Sequence, residues 1–127
     1  MSFNNLISKV DKFTGGTVTV DLSEWAGEGE CVILREPNIS ELMSVVNDIP
    51  NYQKNNPDLP VDLIFNVAML AACHVSPDPD PETPIGKLYL QLATERNPLV
   101  FLAIQTEFRS AFGWVDEYLS LASNKKK

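Results

Sequence analysis

One helical face dominates the first residues of the chain. Its four apolar members recur at positions i, i+3, i+4 and i+7: Phe3, Leu6, Ile7 and Val10. This spacing predicts a helix with one apolar side. Two consecutive glycines, Gly15 and Gly16, then break the pattern, because glycine favours turns over helix. The sequence therefore predicts a short N-terminal segment, residues 1–16, that contains an amphipathic helix.

A strand pattern comes next. Residues 17–22 (TVTVDL) alternate strictly between polar and apolar side chains, and residues 31–36 (CVILRE) form a second apolar run that stops at Pro37. Two such runs separated by a glycine-containing turn predict a β-hairpin over 17–37, with Trp25 in its turn. An isolated hairpin is only marginally stable in water. We therefore expect this hairpin to pack on helices or on a neighbouring subunit.

Beyond the hairpin the apolar period lengthens to that of helices. Two proline-rich stretches, 50–60 and 76–84, are predicted as loops, because proline interrupts both helices and inner strands. The helices are predicted around them, over residues 38–47, 61–75, 85–95, 98–112 and from 114 onwards. The fold class is therefore α+β, mainly α: an N-terminal β-hairpin followed by a bundle of four to five helices. We expect a single domain, 1–127, with a helical core over 38–113 and an amphipathic C-terminal tail over 114–127.

Composition and charge narrow the range of partners. Of the 127 residues, 44% are hydrophobic and 21% are charged, which is typical of a globular domain. When the three C-terminal lysines are set aside, seven basic residues face 17 acidic ones, a net charge of −10. A nucleic-acid binder needs a cationic face. The charge balance excludes that class and favours basic or apolar partners.

Neither a secretion signal nor a membrane span is expected. The N-terminus lacks a charged start followed by a long apolar run. The most apolar stretch, 63–75, is interrupted by polar residues and is shorter than the ~18 residues that a membrane helix needs. Cys31 and Cys73 lie in apolar segments without a CxxC spacing, so we expect free, buried thiols. These features predict a cytoplasmic protein.

Candidate catalytic and metal-binding residues are few. His74 is the one histidine and precedes Asp78, Asp80 and Glu82, but prolines occupy the alternating positions where a calcium loop would need ligands. We predict a solvated acidic loop and no metal site. The sequence lacks a nucleophile elbow, a glycine-rich phosphate loop and an HExxH motif. We therefore predict a protein that is not an enzyme and has no cofactor.

Aromatic residues are the candidates for partner binding, because exposed aromatic side chains on amphipathic segments anchor interfaces efficiently. Trp25 would either cap the core or hold a partner, and Trp114 would either pack or bind from the amphipathic tail. The candidate partner-binding residues are Trp25, Phe108, Phe112, Trp114 and Tyr118. The exposed edges of the hairpin would also allow pairing between copies, which leaves a homo-oligomer open.

Three segments follow one another in a characteristic order. TVTVDLSEWAGEG leads into CVILREPN, and after a further helix an Ala-rich helix end, MLAACHVSPDPD, runs into a proline-aspartate loop. In this order the chain resembles the tail assembly chaperones of long-tailed phages and prophages over residues 17–112. The best-matching positions are Trp25, Gly27, Arg35, Glu36, Pro37, Ala71, Ala72, Val75, Pro77 and Asp78.

The resemblance implies a non-enzymatic factor of virion assembly that acts in the host cytoplasm and is absent from the mature virion. Such chaperones are thought to coat the tape measure protein, a long helical chain with apolar faces, and to recruit tail tube (major tail) subunits. Many of these phages also make a longer product by ribosomal frameshift. The codons of the terminal lysines, 125–127, would suit such a shift, and a soluble basic tail is the simpler explanation of them.

Two other functions stay open at this point. One is a structural tail-completion or connector protein that remains in the virion. The other is an acidic dedicated chaperone of a secretion system, which would share the class of activity and differ in its partner.

Overall fold

A computed structural model describes residues 2–10 and 15–125 of the chain. Within them the helices are α1 (Phe3–Val10), α2 (Ser23–Ala26), α3 (Ile39–Asn55), α4 (Val61–Cys73), α5 (Ile85–Gln91), α6 (Pro98–Ala111) and α7 (Trp114–Lys125). A π-helical turn, Leu92–Arg96, joins α5 to α6. The strands β1 (Thr17–Asp21), β2 (Cys31–Arg35) and β3 (His74–Ser76) form an antiparallel sheet in the order β1-β2-β3. The architecture is α+β and mainly α, as the sequence predicts.

The N-terminal hairpin forms as predicted, with a short helix in its turn. β1 pairs with β2 from Thr17 opposite Arg35 to Asp21 opposite Cys31. The Asp21 carboxylate accepts hydrogen bonds from the backbone N–H of Ser23 (2.9 Å) and from its hydroxyl (2.5 Å). These two bonds lower the pKa of Asp21. They turn the chain into α2, which places Trp25 beside β1 instead of in an irregular loop.

The third strand is a difference from the sequence prediction. The apolar run over 61–75 predicts a helix through Val75, whereas α4 ends at Cys73 and the next three residues pair with β2. Leu34 of β2 lies opposite His74. The pairing satisfies some of the backbone groups on the side of β2 that β1 leaves unpaired. β3 stays short because prolines follow it, and proline cannot continue a ladder.

Helix α3 is also longer than predicted. The sequence predicts its end near Asn47 and a loop from Pro50, but α3 continues to Asn55 with Pro50 inside it. At its start, the Asn38 side chain accepts from the Glu41 N–H (2.8 Å) and the Glu41 carboxylate accepts from the Asn38 N–H (3.1 Å), a complete capping box. At its far end, Tyr52 packs against the core. Tertiary packing of this kind overrides the local signal of one proline.

The core lies between α4 and α6, with the sheet and α3 closing it. Helix α4 is buried on most sides, as its nearly continuous apolar sequence predicts. The buried apolar side chains of α4 and α6 are Ile64, Val67, Ala68, Met69, Leu70 and Cys73 together with Val100, Phe101, Ile104 and Phe108. The Asn97 side chain caps α6 by accepting from the Val100 N–H (3.3 Å), and Pro98 follows at the first helical position, as predicted.

A polar joint fixes the end of the hairpin to the helices. The Arg35 guanidinium forms an ion pair with the Glu41 carboxylate and donates to the carbonyl of Ala72 (2.8 Å). Arg35 comes from β2, Glu41 from α3 and Ala72 from α4. The ion pair lowers the pKa of Glu41, chiefly through the hydrogen bonds that Arg35 donates. One side chain thus connects three elements.

The terminal segments are described in part. Helix α1 confirms the predicted N-terminal helix over Phe3–Val10, while residues 11–14 of that segment lie outside the described residues. Helix α7 confirms a helix in the predicted tail, where Val115 is buried in the core. The last two lysines, residues 126–127, also lie outside the described residues.

Candidate partner-binding surface

Large apolar side chains that remain exposed fall mostly into two groups. Single exposed apolar residues are normal on a protein surface, whereas contiguous ones mark interaction sites. One group is on α1, the other surrounds Trp25, and the remaining members are scattered: Val61, Val75 and Leu121. The group around Trp25 lies in a groove and is the candidate surface.

The Trp25 groove is formed by β1, α2 and the outer face of α6. It has a volume of about 620 Å³. Leu99 is 67% exposed, Leu102 53% and Trp25 42%. The lining residues are Thr19, Val20, Asp21, Glu24, Trp25, Leu99, Leu102, Ala103, Thr106 and Glu107. We refer to this set as the Trp25 groove.

Local sequence explains why the groove exists. On α6, Leu99, Leu102 and Ala103 are spaced i, i+3 and i+4, and therefore share one helical face. The buried face of the same helix points to the opposite side, towards α4. Helix α6 packs against β1, and the short helix α2 places the Trp25 ring at the end of that strand. Two leucines and a tryptophan are thus held together on the surface by elements that are themselves fixed by the core.

The rim of the Trp25 groove is acidic. Its charged members are Asp21, Glu24 and Glu107, all carboxylates. The hydrogen bonds from Ser23 lower the pKa of Asp21, so this carboxylate stays ionised at neutral pH. An apolar floor with negative flanks suits a helix that has one apolar side and lysine or arginine next to it. This chemistry agrees with the preference for basic or apolar partners that the composition predicts.

Two of the five predicted partner-binding residues are core residues. Phe108 and Phe112 are each 3% exposed. Their rings pack edge to face against each other, with centroids 5.3 Å apart and an interplanar angle of 73°. The interpretation of these two rings as partner anchors is therefore corrected. They share the buried face of α6 and its C-cap, where aromatic rings add most to stability.

Trp114 is half-buried and connects three parts of the chain. Its indole Nε1 donates to Oε2 of Glu36 (2.9 Å), and the Gly15 N–H donates to Oε1 of the same carboxylate (2.7 Å). Glu36 is buried at the end of the hairpin. The Trp114 side chain also packs against the core. This geometry gives Trp114 a structural role in holding α7 to the hairpin.

Tyr118 is likewise half-buried and packs against the core. Its hydroxyl donates to the Met43 sulfur at 3.9 Å, which connects α7 to α3. Of the predicted partner-binding residues, Trp25 is the one that the structure places in an apolar surface groove. Tyr118 and Trp114 offer only part of their surface to solvent.

Leu99 and Leu102 are missed by the sequence analysis, although a signal for them is present. The apolar stripe through Ile104 and Phe108 is the more hydrophobic one, and it predicts the buried face correctly. A second stripe, formed by Leu99, Leu102 and Ala103, has the same i, i+3, i+4 spacing and lies on the opposite side of α6. A helix with two apolar stripes needs two partners. The second stripe could have been recognised on that basis.

The histidine, tyrosine and cysteine side chains near β3 have structural partners. The His74 Nε2 lies 2.5 Å from the Pro77 carbonyl, which can only accept, so Nε2–H donates and Nδ1 accepts from the Tyr89 hydroxyl (2.7 Å). Burial raises the pKa of Tyr89. Burial also raises the pKa of the Cys73 thiol to about 12. At neutral pH the Tyr89 hydroxyl and the Cys73 thiol are therefore uncharged and poorly suited to acid–base or nucleophilic chemistry.

Metal and membrane chemistry receive no support from the described part of the chain. Among residues 2–10 and 15–125, no group of three or more His, Cys, Asp or Glu side chains is placed to hold a metal ion. Over the same residues, no helix combines the length and the apolar character needed to cross a bilayer.

Comparisons with protein-family models, with curated proteins and with solved structures give no match for this chain.

Proposed function

We propose that the protein is a non-catalytic tail assembly chaperone. In this role it holds a helical, apolar-faced segment of a tape measure protein in the Trp25 groove and recruits tail tube subunits while the virion is assembled. It acts in the host cytoplasm and is absent from the finished particle. The observation that carries the proposal is the exposed apolar floor of the groove, Leu99, Leu102 and Trp25, with carboxylates on its rim.

The shape of the groove supports a helical client. Its floor consists of side chains from a helix and a short helical turn, with β1 as one wall. An amphipathic helix that lies in such a groove inserts residues at i, i+3, i+4 and i+7. A tape measure protein offers many such segments in succession, so several copies of a small chaperone would cover it. The same contacts would be of little use for a compact folded partner, whose apolar side chains are already buried.

Charge supports the same choice of client. Apart from the C-terminal lysines, the chain carries seven basic against 17 acidic residues. Negative charge around an apolar groove attracts segments with lysine and arginine flanks, and the net negative charge of the chain limits non-specific aggregation. A holding protein needs both properties, because it has to bind apolar surface and stay in solution.

The order of the hairpin and the helices supports the phage assignment. The positions that best match the family include Arg35 and Glu36, which join the hairpin to α3, α4 and α7. The Trp25 turn, which also belongs to that match, supplies one side of the groove. The resemblance thus includes both the joint that fixes the fold and one anchor of the proposed site.

Co-expression tests the proposal. The chain is produced together with a candidate tape measure protein and, separately, with a candidate tube protein. The soluble fraction of each client is then measured, and complexes are sized by chromatography with light scattering. We expect the tape measure protein to move from the insoluble fraction into a complex of defined mass. A chain that elutes alone, with both clients still insoluble, would refute the proposal.

Two variants make this test specific for the groove. Leu102→Glu places a charge on the groove floor, and Leu121→Glu makes the same change at an exposed leucine on α7, outside the groove. Only Leu102→Glu should lose the complex.

Mass spectrometry of purified virions distinguishes a chaperone from a structural tail protein. A chaperone is missing from the particle, whereas a connector is present in stoichiometric amount.

A further inference from the structure

Helix α1 presents an apolar stripe that its own chain does not cover. The four apolar residues of the stripe are between 46% and 71% exposed: Phe3, Leu6, Ile7 and Val10. No residue of this helix is buried. An isolated helix of eight residues is too short to be stable by itself in water. Its stability therefore has to come from a surface on which the stripe can pack.

The stripe of α1 matches the Trp25 groove in pattern. It has the i, i+3, i+4, i+7 spacing that inserts into a groove of this kind. The groove floor repeats that spacing on α6 with Leu99, Leu102, Ala103 and Thr106. Two helices with such stripes pack side by side with their ridges interdigitated. Both surfaces are open in the same molecule.

The charges of the two surfaces are complementary. Lys9 is the charged residue of α1, since its sequence is FNNLISKV. The rim of the groove carries Asp21, Glu24 and Glu107. A positive helix can therefore approach the groove, although the protein as a whole is strongly acidic. Helix α1 therefore combines an apolar stripe with a positive charge, the combination that suits the Trp25 groove.

We propose that α1 of one copy docks in the Trp25 groove of a second copy, so that the chain associates with itself through a helix-in-groove contact. Because no residue of α1 is buried against its own chain, the proposal takes the helix from a second copy. If each copy gives its α1 to the other, the assembly closes as a two-fold dimer. If each copy gives α1 to the next one, an open chain of copies forms.

The self-association requires no client and goes beyond the proposed function. Self-association and client binding use the same groove, so the two proposals make different predictions for variants of α1 and of the groove. Client and α1 would compete for one groove, so a variant that cannot donate α1 should bind client at least as well as the natural chain. A variant without a working groove should bind neither.

Sedimentation velocity of the purified chain over a range of concentrations tests the inference. We expect reversible association that weakens by about tenfold or more with Ile7→Glu, and equally with Leu102→Glu, because each change removes one buried apolar side chain from the contact. Asn5→Glu on the far side of α1 and Leu121→Glu on α7 are matched controls, and should associate like the natural chain.

Mixing the two defective variants gives the decisive result. Ile7→Glu keeps an intact groove, and Leu102→Glu keeps an intact α1, so the 1:1 mixture should recover one intact contact and form a heterodimer more tightly than either variant associates with itself. Circular dichroism of each variant confirms that it is folded. A natural chain that is monomeric at all concentrations would overturn the inference, as would docking of α1 on its own chain. Association that persists in both variants would indicate pairing through hairpin edges and would overturn it too.

Discussion

The two faces of helix α6 use similar side chains for different purposes. The inner face places Phe101, Ile104 and Phe108 in the core, each at most 4% exposed. The outer face carries Leu99 and Leu102, which are more than half exposed and form the floor of the Trp25 groove. Both stripes have helical periodicity and both are strongly apolar. The difference is that only the inner stripe is buried inside the molecule.

This comparison shows which apolar residues the fold requires. Removing an inner side chain leaves a cavity that neighbouring residues fill only in part. Removing an outer one takes away surface that was already in contact with water, and stability changes little. The outer leucines therefore contribute little to folding while raising the risk of aggregation. Their presence as a group is the observation behind both proposals, the binding of a client and the docking of α1 from another copy.

The largest effect is expected on the inner face. Phe108→Ala removes a fully buried ring that packs edge to face against Phe112. We expect the free energy of unfolding to fall by about 3–5 kcal/mol, measured by urea denaturation. Leu99→Ala on the outer face is the matched control and should change it by less than about 0.5 kcal/mol. Equal effects at the two positions would break the distinction between the faces.

The two tryptophans provide a second comparison, between a side chain that holds the fold together, Trp114, and one that lies in the surface groove, Trp25. Trp114→Phe removes the indole N–H that donates to the buried carboxylate of Glu36. Removing a hydrogen-bond donor from a buried carboxylate lowers the free energy of unfolding by about 1–3 kcal/mol. Trp25→Phe keeps an aromatic ring in the groove and should leave stability nearly unchanged. Unfolding curves of both variants test this, and a more destabilising Trp25→Phe would contradict the structural role given to Trp114.

The sequence predicts the periodic elements well. The alternation of 17–22 and the run over 31–36 give the hairpin, and Asn97-Pro98 gives the start of α6. These signals are local, because a cap or a period of two residues depends on neighbours in the chain. Their agreement with the structure therefore follows from physics that acts within a few residues.

What the sequence does not predict depends on contacts between distant residues. β3 forms because β2 has an unpaired edge, and α3 passes through Pro50 because it packs along α4. The same is true of the candidate surface. Phe108 and Leu102 are both apolar residues of one helix, and only the position of α4 decides which becomes core. Because the sequence prediction takes aromatic residues as anchors, it includes Phe108, which is buried, and omits the exposed Leu99 and Leu102.

A smaller effect is expected at the half-exposed joint between the hairpin and α3. Glu41→Gln removes the charge that pairs with Arg35 and keeps an oxygen able to accept from the Asn38 N–H. Both side chains of the ion pair are partly exposed, so solvent screens it. We expect a loss of about 0.5–1 kcal/mol at neutral pH, between the values for the inner and outer faces of α6.

The pH dependence of that loss has a definite sign. The folded protein lowers the pKa of Glu41, so the ionised carboxylate favours the folded state. This contribution is fully present above the pKa of the unfolded chain, about 4.3, and disappears as the pH falls through the lower folded value. The difference between Glu41→Gln and the natural chain should therefore shrink towards zero in acid. A difference that grows as the pH falls would contradict the ion pair.

The smallest effect on stability, and the largest on binding, is expected for Leu102→Glu. Leucine and glutamate have similar helix propensities, and Leu102 is 53% exposed, so the free energy of unfolding should change by less than about 0.5 kcal/mol. On the groove floor, however, the new carboxylate meets the apolar stripe of any docked helix and has to be desolvated. A denaturation curve that is unchanged, together with lost client capture and lost self-association, would separate binding from folding on one helix. A variant that loses stability as well would show that the outer stripe belongs to the core after all, and the groove would then need another explanation.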